Sequence, residues 1–311
     1  MKKKIILIII VLLIIIISMI CIILLKRQKA KYEIERKYYI ENGAIYEKTE
    51  DIDKNAIESN MAKINIIYEK HLNNMKTYFS IIPDKEYYLK DRINTKFSEL
   101  ENKVKTELNE KVKYINITDT LELDDFYRTD MHWKQENLDE TVNKIEKNLG
   151  IDRKENIKYE EKSLGEFYGT YYKEIKNNEL KADKLRYLNN SVLENCKVYN
   201  EETKKEEKIY NLDRVKETKN KYDLFLSGAT AISTITNENI KTDRKLILFR
   251  DSFGSSIAPL FANNYKQIVL VDIRYINYQI LEKYLNFDNY ENQDVLFLYS
   301  SRVINKSGIF R

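Results

Sequence analysis

Three side chains of this sequence could together perform nucleophilic catalysis: Asp130, His132 and Ser252. The acid and the histidine occur in RTDMHW (128–133), and the histidine is one of only two in 311 residues. Residues two apart on an extended segment point to the same side, so the carboxylate can bind one ring nitrogen and leave the other to accept a serine proton. The alternative is structural: a packed histidine beside an aspartate that caps the following helix.

Ser252 lies in RDSF (250–253), directly after the apolar run KLILFR and before a segment of helical composition. A nucleophile there stands at the carboxyl edge of a sheet. Its own amide and the next ones, at the N-terminus of the helix, can stabilise developing negative charge. The alternative is again structural, because Asp and Ser are common helix caps. More than a hundred residues separate the two stretches, so the fold must bring them together.

The C-terminal part of the chain contains elements that would position Ser252 in this way. From residue 245, the strands KLILFR, QIVLVDI and DVLFLYS alternate with the helical segments SSIAPLFANN and NYQILEKYLN. Near-continuous apolar strands separated by helices predict parallel β–α–β units with both faces of the sheet covered. The sequence therefore predicts a three-layer α/β/α domain with a parallel central sheet.

The preceding residues are less regular. Residues 151–220 break the alternation and contain a charged hairpin with its turn near Glu201–Lys205, which we interpret as an inserted or edge β element. The other predicted elements are strands at 76–83 and 113–118, a surface helix at 91–110, and a helix that follows Trp133 and stops at Gly150.

The N-terminus predicts a membrane anchor. Ile5 to Leu25 is an uncharged run of 21 residues, all apolar except Ser18, which at helical rise spans ~30 Å, the thickness of a bilayer's hydrocarbon core. The run is longer than the core of a signal peptide and meets Lys26 and Arg27 instead of a cleavage site, so we interpret it as an uncleaved signal anchor. Basic residues flank both ends and leave the orientation open. The predicted parts are an anchor (1–31), a charged helical stalk (32–44) and an α/β domain (45–311).

Composition excludes several classes of function. The net charge of +4 arises from 53 basic and 49 acidic residues that are thoroughly mixed, which is no footprint for nucleic acid. Cys21 lies in the apolar run and Cys196 stands alone, so there is no disulfide framework. Neither H-E-x-x-H, C-x-x-C nor a P-loop occurs. We therefore expect no metal, no cofactor and no nucleic-acid partner.

Five blocks of the sequence, within roughly Lys76 to Ser300, carry a resemblance to a known family. They are RTDMHW, EFYGTYY (166–172), KYDLFLSG (221–228), LILFRDSFGSSIAP (246–259) and VLVDIRY (269–275). In this order they resemble the blocks of the DHHW protein family, which resembles a branch of the SGNH/GDSL hydrolase superfamily related to the alginate-type O-acetyltransferases. The resemblance implies an SGNH-hydrolase-like fold in which RDSF stands in place of the G-D-S-L block, with Ser252 as nucleophile, His132 as base and Asp130 as its orienter.

Two positions depart from the family pattern. Met131 stands where the family name has its first histidine, whereas Asp130 and His132 of the D-x-H-W pattern are retained. Arg250 replaces the glycine of G-D-S-L, which bears on the oxyanion site. Gly228, in LSGAT, is a candidate for an oxyanion donor.

The resemblance implies a function at the cell envelope. We expect a single-pass membrane protein with residues 32–311 outside the cytoplasm, acting as a serine-dependent acyl (O-acetyl) transferase or esterase on a cell-envelope polysaccharide or related polymer. A partner membrane protein could supply the acyl group. The alternative is a non-catalytic accessory protein that binds a glycan or a membrane acyltransferase. A Ser252 Oγ far from His132 would favour that alternative.

Overall fold

An eight-stranded sheet forms the centre of the protein, in a computed structural model that describes residues 2–89, 95–152, 157–287 and 292–311, with side chains from residue 12 onward. Its helices are α1 (Lys2–Lys37), α2 (Lys54–Ile67), α3 (Thr95–Glu107), α4 (Asp139–Asn148), α5 (Thr170–Ile175), α6 (Ser191–Asn195), α7 (Leu212–Thr218), α8 (Gly254–Phe261) and α9 (Ser301–Ile304). Its strands are β1 (Tyr38–Glu41), β2 (Ala44–Glu47), β3 (Lys76–Ile82), β4 (Lys113–Tyr114), β5 (Glu160–Phe167), β6 (Asp183–Asn189), β7 (Lys197–Asn200), β8 (Lys205–Lys208), β9 (Ile232–Thr236), β10 (Lys245–Arg250), β11 (Gln267–Val271) and β12 (Gln293–Ser300).

The central sheet is parallel in one part and antiparallel in the other. Its strand order is β4-β3-β12-β10-β11-β9-β7-β8, and the five strands from β4 to β11 are parallel. The last three are successively antiparallel. The prediction of a parallel sheet is therefore correct for the five strands beside Ser252 and wrong for the edge, where the predicted charged hairpin adds β7 and β8.

Helices cover both faces of the sheet, which gives the three predicted layers. Successive residues of β10 point to opposite sides: Leu246 and Leu248 enter the core shared with α4 and α8, whereas Ile247 and Phe249 enter the core shared with α2 and α3. This double burial explains the near-continuous apolar composition of the strand. Each such side chain contributes about 1.5–3 kcal/mol relative to an exposed one, so the strand that carries Ser252 is rigidly held.

Three predicted elements are shorter than expected. The strand predicted at 113–118 ends after two residues, because the Asn116 side chain accepts the Thr118 N–H at 2.8 Å and turns the chain. The helix after Trp133 begins only at Asp139, behind a 3₁₀ turn. NYQILEKYLN forms a 3₁₀ helix (Tyr278–Lys283), not an α-helix. Residues 91–94 of the predicted surface helix lie outside the described residues.

The N-terminal segment differs from the predicted stalk. Helix α1 ends at Lys37, and residues 38–47 form a hairpin, because Asn42 and Gly43 adopt the positive φ angles of 50° and 74° that suit a two-residue turn. The predicted anchor, Ile5–Leu25, falls within α1, but the side chains of its first residues lie outside the described part. Over the residues that the structure describes, none of the helices has the length and apolarity to cross a membrane.

Candidate active site

Ser252 occupies a tight turn between β10 and α8. The Asp251 carboxylate accepts the N–H of Phe253 at 3.0 Å and that of Ser300, at the end of β12, at 2.8 Å. The Asp251 carbonyl accepts the Gly254 N–H at 3.0 Å. Asp251 therefore closes the turn that precedes α8, and the Ser252 hydroxyl takes no part in these bonds.

The Ser252 hydroxyl instead lies against His132. Ser252 Oγ is 2.8 Å from His132 Nε2, and His132 Nδ1 is 2.5 Å from Asp130 Oδ1. Asp130 Oδ1 also accepts the His132 N–H at 2.9 Å, and Oδ2 accepts the Thr170 N–H at 2.6 Å. The structure thus brings together the three residues that the sequence singled out, in an unbroken acid–imidazole–hydroxyl chain.

Asp130 is held in its ionised form. It is 1% exposed, and burial alone raises the pKa of its carboxyl group. The neighbouring His132 and the N–H donors of His132 and Thr170 lower the pKa by more, so the net pKa lies well below its usual range. An ionised carboxylate keeps the Nδ1 proton on the imidazole and leaves Nε2 free to accept the serine proton.

Aromatic side chains fix the plane of the His132 ring. Tyr222 stacks on one face of the ring, with ring centroids 3.9 Å apart and an angle of 16° between the planes. The centroid of the Phe253 ring is 4.8 Å from that of His132. Trp133 Nε1 donates to the Phe253 carbonyl at 3.2 Å and to Ser256 Oγ at 2.9 Å. The tryptophan of the D-x-H-W pattern therefore joins the histidine segment to the helix that follows the serine.

Asp183, at the start of β6, holds the acid–histidine segment from one side. Its carboxylate accepts the N–H of Arg128 at 2.9 Å, the N–H of Thr129 at 2.8 Å and the Thr129 hydroxyl at 2.5 Å. These bonds hold Arg128 and Thr129 in a bend, residues 128–132, which the antiparallel pair Phe126–Trp133 closes. The extended backbone expected from the sequence is therefore not observed, and the acid–histidine contact forms within this bend.

Lys85 holds the same segment from another side. It is 4% exposed, and its ammonium lies 5.2 and 5.0 Å from the ring centres of Tyr46 and Tyr171. Burial lowers the pKa of Lys85 to about 7, against the opposing effect of Asp130 and Asp183. Its Nζ donates to the carbonyls of Tyr127, Arg128 and Asp130, at 2.9, 3.2 and 2.9 Å.

Gly169, in the block EFYGTYY, lies directly against the Asp130 side chain, a contact that the sequence alone did not reveal. A Cβ at Gly169 would overlap Asp130, with Cγ only 2.6 Å away and Oδ2 closer still. The φ of Gly169 is −81°, so close approach and not backbone strain requires glycine. The sequence did show a single glycine among aromatic residues at this place. Its distance along the chain from Asp130 gave no indication that the two residues are in contact. Lys85 and Asp183 gave no signal of any kind.

The oxyanion donors differ from those expected. The Gly228 N–H donates to the Phe225 carbonyl at 3.1 Å, so this amide is already engaged in a turn. The Phe253 and Gly254 amides are also occupied, which corrects the expectation of several free donors. Among the described residues, only the Ser252 N–H of this turn has no acceptor. Arg250 is 1% exposed and lies beneath the turn, so it does not face substrate.

In the described ranges, no three His, Cys, Asp or Glu side chains are grouped as metal ligands. The three hydrogen-bonded side chains and the Ser252 amide can perform the following chemistry: deprotonation of a hydroxyl by imidazole, attack on a carbonyl, and stabilisation of the resulting oxyanion.

The chain belongs to the DHHW protein family, whose model matches residues 97–271. Similar solved structures include a DHHW family protein from Eubacterium siraeum (TM-score 0.67, 20% identity, covering 88% of this chain and 95% of that one). PatB1 of Bacillus cereus with a sulfonyl adduct is similar to the same degree (TM-score 0.67, 18% identity, 88% and 97%). The O-acetyltransferase domain of Pseudomonas putida AlgJ is more distant (TM-score 0.51, 12% identity, 87% and 93%). Among curated proteins, none matches by sequence.

These similarities agree with the fold expected from the sequence. The neighbours share the mixed α/β architecture with a large central sheet, over 87–88% of this chain and 93–97% of their own length. At 12–20% identity they establish the fold alone. What the site does must be argued from its own residues.

Proposed function

We propose that this protein is a serine-dependent acyltransferase or esterase in which Asp130, His132 and Ser252 form the catalytic triad. One observation carries the proposal: the Ser252 hydroxyl is 2.8 Å from an imidazole nitrogen whose partner nitrogen binds a buried carboxylate. A non-catalytic binding protein has no need of this alignment, and Ser252 does not cap the helix.

The reaction has two halves. His132 Nε2 takes the proton of Ser252 Oγ as that oxygen attacks the acyl carbonyl, and Asp130 stabilises the imidazolium that forms. The Ser252 N–H donates to the oxyanion, and collapse expels the leaving alcohol, which takes the proton from His132. In the second half, His132 deprotonates an acceptor hydroxyl or water, which attacks the acyl-enzyme and releases Ser252 with its proton restored.

The relatives support the choice of chemistry. PatB1 of Bacillus cereus is described with a sulfonyl adduct, and the related domain of AlgJ is an O-acetyltransferase. By analogy, the acyl group is acetyl, and the acceptor is a hydroxyl of a cell-envelope polysaccharide or a related polymer, with a partner membrane protein as the source of the acetyl group.

The N-terminal segment supports a location at the membrane. The large apolar side chains of α1 between Leu12 and Leu25 are 42–65% exposed, and exposed apolar surface on this scale marks an interaction site. Together with the uncharged run from Ile5, this favours a single-pass anchor with the α/β domain (45–311) outside the cytoplasm. Protease added to intact cells should then digest the domain, and full protection would reverse the orientation.

The decisive experiment is turnover of a chromogenic acetyl ester by the purified full chain. Ser252→Ala should lower kcat by roughly 10³-fold or more, and His132→Ala nearly as much, because residues that act as a unit are not additive. Asp130→Asn should cost somewhat less, since the amide still orients the ring but favours the wrong tautomer. A serine-directed phosphonate should label Ser252 only when His132 is present.

Ser255→Ala is the matched control, because it removes a buried hydroxyl from the same helix start. It should retain activity. If Ser252→Ala instead loses about 0.5–2 kcal/mol of stability and no activity, the serine is a structural residue and the enzyme proposal is wrong.

A further inference from the structure

Arg250, at the glycine position of the G-D-S-L block, is a buried cation with unmet hydrogen-bonding capacity. The side chain is 1% exposed, and within the described residues its Nε and Nη2 have no partner. Its Nη1 donates to the Asp251 carbonyl at 3.3 Å and lies 3.8 Å from Asp272 Oδ2. A buried guanidinium with unpaired N–H groups destabilises the fold, and an apolar side chain would pack there at lower cost.

Neutralisation of Asp272 does not account for this arginine. Arg274 already binds Asp272 through two bonds, from Nε to Oδ1 at 2.8 Å and from Nη2 to Oδ2 at 2.6 Å. The Arg250 contact with the same carboxylate is longer and outside hydrogen-bonding distance. Within the part of the chain that the structure describes, the one hydrogen bond of the Arg250 side chain is therefore the bond to the Asp251 carbonyl.

That carbonyl belongs to the peptide group whose N–H is the free amide of Ser252. It accepts from Arg250 on one side and from the Gly254 N–H, at 3.0 Å, on the other. Two donors fix the plane of the peptide, and hence the direction of its N–H. A cation on the oxygen also draws electron density from the nitrogen, which makes the N–H a stronger donor, as in cooperative hydrogen-bond chains.

Gly254 makes room for this arrangement. A Cβ there would be 2.5 Å from Arg250 Cβ and 2.8 Å from Cγ, so the arginine stem passes directly beneath the first residue of α8. In RDSFG, the arginine before the turn can therefore adopt this position only because the residue after the turn is glycine.

We propose that Arg250 is a positioning residue for acyl transfer, which orients and polarises the Asp251–Ser252 peptide so that the Ser252 N–H stabilises the oxyanion. This inference rests on the proposed function. It assigns a role to residue 250, where arginine replaces the glycine of G-D-S-L. The Arg250 guanidinium makes the Ser252 N–H a stronger hydrogen-bond donor.

The test compares Arg250→Met with wild type and with Arg244→Met in the full chain. Arg244 is a matched control, because it precedes the same strand at the opposite edge of the sheet and binds Asp294 at 2.7 Å. With an acetyl ester, Arg250→Met should lower kcat about 30- to 100-fold with KM nearly unchanged, the pattern of a lost oxyanion interaction. Arg244→Met should keep kcat within about threefold.

Two further measurements separate positioning from a structural role. A boronic acid, which forms a tetrahedral anion on a nucleophilic serine, should inhibit Arg250→Met more weakly, by about the same factor as the loss in kcat/KM. The midpoint of thermal unfolding should stay or rise, because Asp272 keeps its two bonds to Arg274 and a buried cation with two unpartnered nitrogens has been removed. Arg250→Lys, which retains the charge, should recover at least a few-fold of kcat.

The outcomes are distinguishable. Unchanged kcat and boronate affinity in Arg250→Met, with an active wild type, would overturn the role of Arg250 and leave the triad intact. A large fall in the unfolding midpoint, with no recovery of kcat in Arg250→Lys, would make Arg250 a structural residue and also overturn the proposal. A wild type that neither turns over the ester nor takes the phosphonate would remove both proposals together.

Discussion

The two halves of the candidate site are built in different ways. Ser252 follows a strand buried on both faces, and its turn is closed by hydrogen bonds of Asp251 to Phe253, Gly254 and Ser300. Asp130 and His132 instead lie in an irregular segment whose shape depends on side chains and amides far away in the sequence. The serine half is therefore specified mainly by bonds within its own turn, with one tertiary bond from Ser300. The acid–histidine half depends on several tertiary contacts.

This difference predicts which substitutions outside the triad should impair the site. On the serine half, the backbone is positioned by a sheet that the core stabilises. On the other half, the buried groups that position Asp130 and its neighbours are Lys85, Asp183 and the Gly169–Thr170 amides. Substitutions at these distant positions should impair the site although none of them touches substrate.

Outside the triad itself, the largest effect is expected from Gly169→Ala. The added methyl group would overlap the Asp130 side chain and force its carboxylate away from His132. Because removal of the triad carboxylate's function costs up to about 10⁴-fold, we expect kcat to fall by roughly 10²-fold or more. The measurement is kcat on an acetyl ester, together with phosphonate labelling of Ser252.

Gly43→Ala is the control for this prediction. Gly43 has a φ of 74° and nothing within 4 Å of an added Cβ, so alanine there strains the backbone without disturbing the site. It should lose about 1 kcal/mol of stability and keep its activity. Equal activity of the two variants would contradict the view that Gly169 matters through Asp130.

A smaller effect, with a pH signature, is expected from Lys85→Met. Loss of a donor to three carbonyls should loosen the segment and lower kcat about tenfold. Burial lowers the pKa of Lys85 to about 7 in the folded protein, against ~10.4 in an unfolded chain. Between these values the unfolded state binds more protons, so the stability of the wild type should increase with pH.

The measurement is urea denaturation of wild type and Lys85→Met at pH 6 to 9. From pH 7 upward, the free energy of unfolding of the wild type should rise relative to the variant, by at most ~1.4 kcal/mol per pH unit. Below pH 7 the difference should become constant, because the lysine is protonated in both states. Parallel curves over the whole range would show that this lysine does not titrate as expected.

The same contrast explains what the sequence could predict. KLILFR, the turn and the helix after it are local patterns. The pairing of Asp130 with His132 was expected from an extended backbone, but it forms in a bend. The contacts that hold this pair join residues 40 to 54 positions apart across irregular chain, and no periodicity encodes them. The bond of the Gly228 amide to the Phe225 carbonyl, in a local turn, was likewise not visible in the sequence.

The smallest effect is expected at Met131, between the acid and the histidine. Asp130 Oδ1 contacts both the N–H and the ring of His132 within the bend of residues 128–132, and the Met131 side chain takes no part in these contacts. Met131 is half-buried and packs against two apolar clusters, one of which contains Tyr38, Ile45 and Tyr171. The family's first histidine is therefore replaced here by a packing residue.

Met131→His should accordingly leave kcat within about threefold, because Asp130 and Ser252 keep their bonds to His132. It should cost roughly 1 kcal/mol of stability, since a polar ring replaces an apolar side chain in partly buried surroundings. Steady-state kinetics and thermal unfolding of the same preparation test both halves of this prediction. A gain in kcat of tenfold or more would mean that the first histidine of the family pattern takes part in catalysis. In that event the acid–histidine half would contain a second functional side chain that its present contacts do not reveal.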